Sequence, residues 1–214
     1  MMRIFKFGCL FSLSIFILCF IIVGIMTCSN KDWAKDLDTQ SRDSLETSTK
    51  IDKQKINTDS VMKVFRSDFT IKKDEFSDRV WVEPKNRPHY NNINKIFCYF
   101  ELKGDKASNF RFRIQYTGDD WLFIDQMIFK INNDRKIVFL PQEMKRDNNS
   151  TIWEWCDESI DSKYEFLISA IANAKNVKVK FQGDQYYDVR TLSSEEIKYI
   201  KKTYDFYLAL GGEF

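Results

Sequence analysis

Glycine, proline and histidine are scarce in this chain, with seven, three and one among 214 residues. There is no G-x-G-x-x-G, no P-loop, no G-x-S-x-G and no H-E-x-x-H, which excludes the usual phosphate loops, nucleophile elbows and zinc-protease helices. Any Ser-His-Asp or Cys-His arrangement would have to use His89. It sits in "PKNRPHYNN", a Pro/Asn-rich loop between strands, where an exposed histidine normally stands. Charge of one sign is also lacking: 33 basic against 31 acidic side chains leave +2. Nucleic-acid binding needs a clustered basic footprint, so no nucleic-acid partner is expected. Only Cys98 and Cys156 follow residue 28 among five cysteines. Neither lies at metal-ligand spacing to His89, and no metal or cofactor is expected.

What the chain has in quantity is aromatic surface, 19 Phe, 9 Tyr and 5 Trp, and one long apolar run. Arg3 and Lys6 precede a stretch without charge from Phe7 to Met26. About 20 apolar residues can cross a bilayer, whereas a secretory h-region needs about 7–15. The run ends in Ile25-Met26-Thr27-Cys28, followed by Ser29 and polar sequence. This resembles the relaxed lipoprotein signals of Bacteroidetes-type bacteria, and the resemblance implies lipidation of Cys28 after removal of residues 1–27. An uncleaved membrane helix is the other reading. Both leave the rest of the chain outside the cytoplasm, held to a membrane by lipid or helix.

Residues 28–60 are rich in Ser, Thr, Asp and Lys. They bury too little apolar surface to offset ordering entropy and read as a flexible tether, with room for a short helix around 31–38. From residue 61 to 214 the pattern is that of a β-rich globular domain. In "NFRFRIQY", Phe110, Phe112, Ile114 and Tyr116 alternate with Arg111, Arg113 and Gln115, which sends one set to a core and the other to solvent. "VKVKFQ" repeats this with Val177, Val179 and Phe181 against Lys178 and Lys180. "NKIFCYFELK" and "DWLFIDQMIFKI" are apolar on both faces and predict central strands. "NND" before "RKIVFL" predicts a hairpin turn. "MKVFRSDFTI", "RVWVE", "TIWEWC" and "YYDVRTL" supply shorter strands. Two helices follow from capping patterns. One starts at Asp161/Ser162 with Glu165 behind it. The other has Ser193 and Glu196 as a capping box, Leu192 stapled to Ile197, a stripe of Ile197, Ile200, Tyr204, Tyr207 and Leu208, and Gly211 at its end. The fold class expected is mainly β (α+β): an antiparallel, sandwich-like domain with two α-helices, the second at the C-terminus.

"NFRFRIQYTGDDWLFI", "VKVKFQGDQYYDVRTLSSEE" and "YLALGG" together resemble an uncharacterised domain of bacterial envelope proteins over roughly residues 94–212. That resemblance implies a folded extracytoplasmic domain and no particular activity.

The candidate chemistry lies in Trp-flanked acids. Asp119 and Asp120 precede Trp121; Glu154, Asp157 and Glu158 accompany Trp153 and Trp155. A glycosidase needs two facing carboxyl groups, one kept protonated by an apolar neighbour. The bland alternative is turn acids beside core aromatics. Trp81, Trp121, Trp153 and Trp155 could instead stack on a sugar ring. Trp153 and Trp155 share a strand face, which is equally the spacing of a core stripe, and core is the preferred reading of that pair. Arg111, Arg113, Lys178 and Lys180 would form an anion-binding face if their strands lie side by side, or else the solvated side of a sheet. Cys98 and Cys156 form a disulfide or stay as two buried thiols. The function expected is non-enzymatic binding or envelope assembly, with a glycan or an envelope protein as partner. Carbohydrate binding or hydrolysis through the Trp-flanked carboxylates is the alternative.

Overall fold

The computed structural model describes residues 57–214. The expected anchor, Cys28 and nearly all of the expected tether lie outside the described residues. Among those described, no helix is long and apolar enough to cross a membrane.

The chain begins with helix α1 (Thr58–Phe65) and a 3-10 turn (Arg66–Asp68). Strands β1 (Phe69–Lys73), β2 (Val80–Pro84), β3 (Lys95–Lys103), β4 (Lys106–Gly118), β5 (Ile124–Ile131), β6 (Arg135–Phe139), β7 (Lys145–Asn148) and β8 (Ile152–Ser159) follow. After them come helix α2 (Ser162–Ala172), β9 (Val177–Gly183), β10 (Tyr187–Thr191) and helix α3 (Ser194–Ala209). The strands form two antiparallel sheets, one six-stranded in the order β1-β2-β3-β4-β8-β7, the other four-stranded in the order β10-β9-β5-β6. The domain is therefore mainly β and sandwich-like, with its last helix at the C-terminus.

The alternation read from sequence sets the two inner faces. Phe112 of β4 meets Phe129 and Phe139 of the four-stranded sheet, with ring centroids 6.0 and 5.6 Å apart, and Tyr116 meets Phe181 at 5.1 Å. The rest of the six-stranded sheet's inner face is covered by α3. Phe100 packs against Phe206 and Tyr207, and Phe110 against Tyr207. Each fully buried Phe contributes roughly 1.5–3 kcal/mol of transfer energy, so this aromatic seam holds both the second sheet and α3 to the six-stranded sheet. β3 and β5 are central, as their two-sided apolar pattern predicts. The turn after β5 puts Asn132 and Asn133 at φ 49° and 68°, the left-handed region that asparagine tolerates.

The capping box of α3 forms as read: the Ser193 side chain accepts from Glu196 N, and the Glu196 carboxylate from Ser193 N. The buried stripe, however, is Glu196, Ile197, Ile200, Thr203, Phe206 and Tyr207, while Leu208 is exposed. Glu196 turns the helix. Its carboxylate accepts from Ile96 N at 2.9 Å on β3 and pairs with Arg190 on β10 at 2.8 Å, which pulls this edge of α3 inward. α2 uses Asp161 as its cap, and Glu165 instead receives the Tyr204 hydroxyl at 2.9 Å.

Two further expectations are corrected. "MKVF" belongs to α1 and not to a strand, because Val61, Met62 and Phe65 pack on the core at helical spacing and Asn57 caps Ser60 N. "DWLF" stays out of β5, with Phe123 at φ 53°. Of the two readings left open for Cys98 and Cys156, the structure has the buried free thiols and not the disulfide. They face different residues of β4, Phe112 and Ile114. Two strand spacings, roughly 10 Å, separate them, beyond the ~7 Å that a bridge spans.

Glu196 gives a pH-dependent prediction. Burial alone raises its pKa, but the hydrogen bond and charge of Arg190, with the Ser193 and Ile96 amides, outweigh burial and hold it below its ordinary 4.5. A carboxyl with a depressed folded pKa contributes stability that is present above the ordinary value and is lost as pH falls below it. Glu196→Gln should unfold in urea about 3 kcal/mol more easily than the natural chain at pH 7, and the gap should shrink below pH 4.5. A gap independent of pH would contradict the assignment.

Candidate functional site

The six-stranded sheet turns its other face away from the core, and the register places the side chains there in rows. Phe97, Arg113 and Asp157 stand opposite one another on β3, β4 and β8. Lys95, Gln115, Trp155 and Lys145 form the next row, and Thr117, Trp153 and Asp147 the one after. Trp153 and Trp155 thus face outward, half-buried, which corrects the core reading. The inward set of β8 is Ile152, Glu154, Cys156 and Glu158.

Glu154 accounts for that choice. It is fully buried, and its carboxylate accepts from Leu122 N, Phe123 N and Ile124 N at 2.9, 3.0 and 2.9 Å. Arg146 Nε adds a fourth bond at 3.0 Å. A β-carbon on Gly183 would lie 1.9 Å from Leu122 O, so only glycine lets β9 approach this segment so closely. Glu158 likewise accepts from Gln142 N and Glu143 N. Glu154 was a candidate ligand contact. The structure spends its oxygens on three backbone amides and an arginine, on the sheet face opposite the two tryptophans.

Asp119 and Asp120 are exposed just beyond β4. Trp121 is half-buried and stacks on Phe123 at 5.9 Å, and the Arg146 guanidinium lies 5.5 Å from the Phe123 ring. The residues proposed for an anionic face do not share one. Arg111 and Arg113 lie on the six-stranded sheet, whereas Lys178 and Lys180 lie on the four-stranded one. The two arginines are also committed. Asp157 accepts from Arg111 Nε at 3.0 Å, Arg113 Nη1 at 2.6 Å and the Tyr99 hydroxyl at 2.7 Å. Burial, then the Asp157 charge, pushes the Tyr99 hydroxyl well above its usual value.

This network holds down the loop between β2 and β3. Arg113 Nη2 donates to Asn91 Oδ1 at 2.7 Å, and Gln115 Nε2 donates to the same oxygen at 3.3 Å. Asn94 exchanges two hydrogen bonds with the Thr117 backbone, each 3.1 Å. Beneath and beside the loop are two depressions. A cavity of about 150 Å³ is bounded by Arg87, His89, Asn91, Tyr99, Arg113 and Gln115, among others. Gln115 is only 1% exposed, and its Oε1 accepts no hydrogen bond among the described residues. A cleft of about 330 Å³ is lined by His89, Tyr90, Asn91, Asn92, Asp147, Asn149 and Trp153. His89 and Asn91 border both. No group of three or more His, Cys, Asp or Glu among the described residues could hold a metal ion.

Tyr90, Asn91, Asn92, Asp147 and Asn149 were not found by sequence reasoning. Loop amides carry no periodic signal, and only the fold brings them to Trp153. The chain matches no protein-family model, no curated protein and no solved structure.

The Tyr99 hydroxyl reports on the network. Asp157→Asn removes the charge that, after burial, does most to raise its pKa. Its phenolate absorbance should then appear at lower pH than in the natural chain. An unchanged titration would show that Asp157 does not act on it.

Proposed function

We propose that this chain is a membrane-anchored, extracytoplasmic binding domain without enzymatic activity, and that its ligand is carbohydrate. Residues 1–27 would direct export, and Cys28 would carry the anchoring lipid. The observation that carries the ligand class is the cleft at Trp153. An indole bordering a cleft of about 330 Å³, with Tyr90 and the amides of Asn91, Asn92 and Asn149 around it, has the composition that a sugar ring needs. The aromatic surface covers the ring's apolar C–H side, and the amides take its hydroxyls. Hydroxyl groups both donate and accept; the Oδ1 atoms of Asn91 and Asn149 already accept hydrogen bonds from the protein, so these two amides answer with their Nδ2 donors and Asn92 with both ends.

Binding is favoured over hydrolysis by the carboxylates. Glycoside hydrolysis needs a pair of carboxyl groups roughly 5–9.5 Å apart across the bond. Asp147 is the only carboxylate among the described residues that line the cleft. Glu154 is on the other side of the sheet, and Asp157 is held by two arginines.

The test is tryptophan fluorescence of the full chain in detergent, titrated with chitohexaose, cellohexaose and xylohexaose. At least one should change the emission. Trp153→Ala should weaken that ligand at least about tenfold, whereas Trp121→Ala should not. No response to any of the three, or equal binding by the Trp153 variant, would overturn the reading.

A further inference from the structure

The four-stranded sheet also has an outward face, and its register gathers a charge pattern that no local sequence window displays. Lys130 of β5 stands directly opposite Lys178 of β9 on one side and Lys136 of β6 on the other. Three lysines therefore cross three adjacent strands in one row. Lys180 lies two residues from Lys178 on the same face, its ammonium 3.9 Å from the centre of the Tyr187 ring. Like charges directly opposite one another destabilise a sheet. None of the four lysines makes an ion pair among the described residues. Asp188 of β10 is paired with core-facing Phe181 and lies on the other face of the sheet, at the Tyr116 hydroxyl. Asp134 and Asp184 sit in turns at opposite ends, and Asp125 at the register shift of β5.

The next row is apolar except for Lys180. Val138, Ile128, Lys180 and Val189 stand side by side on β6, β5, β9 and β10. Val138 and Val189 are 45% and 49% exposed, and Tyr187 at the strand edge is 61% exposed. The three helices pack on the core side of the domain, and nothing among the described residues covers this face.

We propose that this face docks on an anionic lipid bilayer, with the lysine row at the headgroup phosphates and Val138, Ile128, Val189 and the neighbouring Tyr187 against the acyl boundary. A sheet surface bearing cations beside exposed aliphatic groups and a tyrosine matches the layered chemistry of a leaflet, charge outside and hydrocarbon beneath. A soluble polyanion would satisfy the lysines and leave the valines with no role. The lysine row is then an interaction surface whose cost in the free protein is offset when the charges meet phosphates. This inference does not depend on the glycan cleft, which lies on the other sheet.

The test uses the full chain reconstituted into vesicles, where lysine acetylation is read residue by residue by mass spectrometry. In phosphatidylcholine with about 30 mol% phosphatidylglycerol, whose negative surface potential attracts each lysine near it, Lys130, Lys136 and Lys178 should label at least about threefold more slowly than in phosphatidylcholine alone. High salt should remove the difference. Lys201, exposed on α3 and paired with Asp205, should label equally in both. The triple variant K130Q/K136Q/K178Q, which relieves repulsion and should fold, should also abolish protection of Lys180. Equal labelling of the row in both vesicle types would overturn the proposal. So would protection by heparin in detergent without protection by anionic vesicles, since that would identify a soluble polyanion as the partner.

Discussion

A carboxylate buried inside a β-sandwich is costly unless its oxygens are fully occupied, and Glu154 meets that condition. Three successive backbone amides, Leu122, Phe123 and Ile124, and the Arg146 guanidinium surround it. Those amides belong to the segment that leaves the six-stranded sheet and enters the four-stranded one. The carboxylate therefore joins the sheets at the crossover and satisfies donors that no strand pairing reaches. Turning Glu154 outward would abandon three amides, two of them buried. Turning Trp153 inward would put an indole where they converge. Because side chains alternate with period two, this one contact fixes the orientation of all of β8.

The consequences spread through strand pairing. With Glu154, Cys156 and Glu158 inward, Trp153, Trp155 and Asp157 must face out. Asp157 then meets Arg111 and Arg113 from β4, and Arg113 reaches Asn91 and holds the β2–β3 loop over the sheet. Cleft, cavity and loop follow from the register of a single strand. The proposed glycan surface is thus a by-product of how the core satisfies its polar groups, which gives it a rigid floor.

The parts that sequence made legible are those governed by local physics. Phe110 to Tyr116 and Val177 to Phe181 alternate as their strands demand, and Ser193 with Glu196 marks the start of α3 because a capping box lies within four residues. β8 could not be oriented in that way. A strand with tryptophans at one parity and acids at the other reads as aromatic-inward, and only amides about 30 residues upstream reverse it. The likeness between the strands of Arg111/Arg113 and Lys178/Lys180 was real, but a shared pattern does not say which sheet a strand joins. β7 is exposed along its whole length and carries no apolar signal. Asn91 and Asn149 acquire meaning only when the fold sets them beside Trp153.

Amide hydrogen exchange in Glu154→Gln probes the central contact most directly, since the variant keeps the side chain's size and one acceptor oxygen while removing its charge. The account predicts that Leu122, Phe123 and Ile124 lose protection by about a hundredfold while the β3 amides of Phe97 to Phe100 keep theirs. Undiminished protection at the three amides would contradict the claim that this carboxylate holds the crossover and, through it, the face on which the site is built.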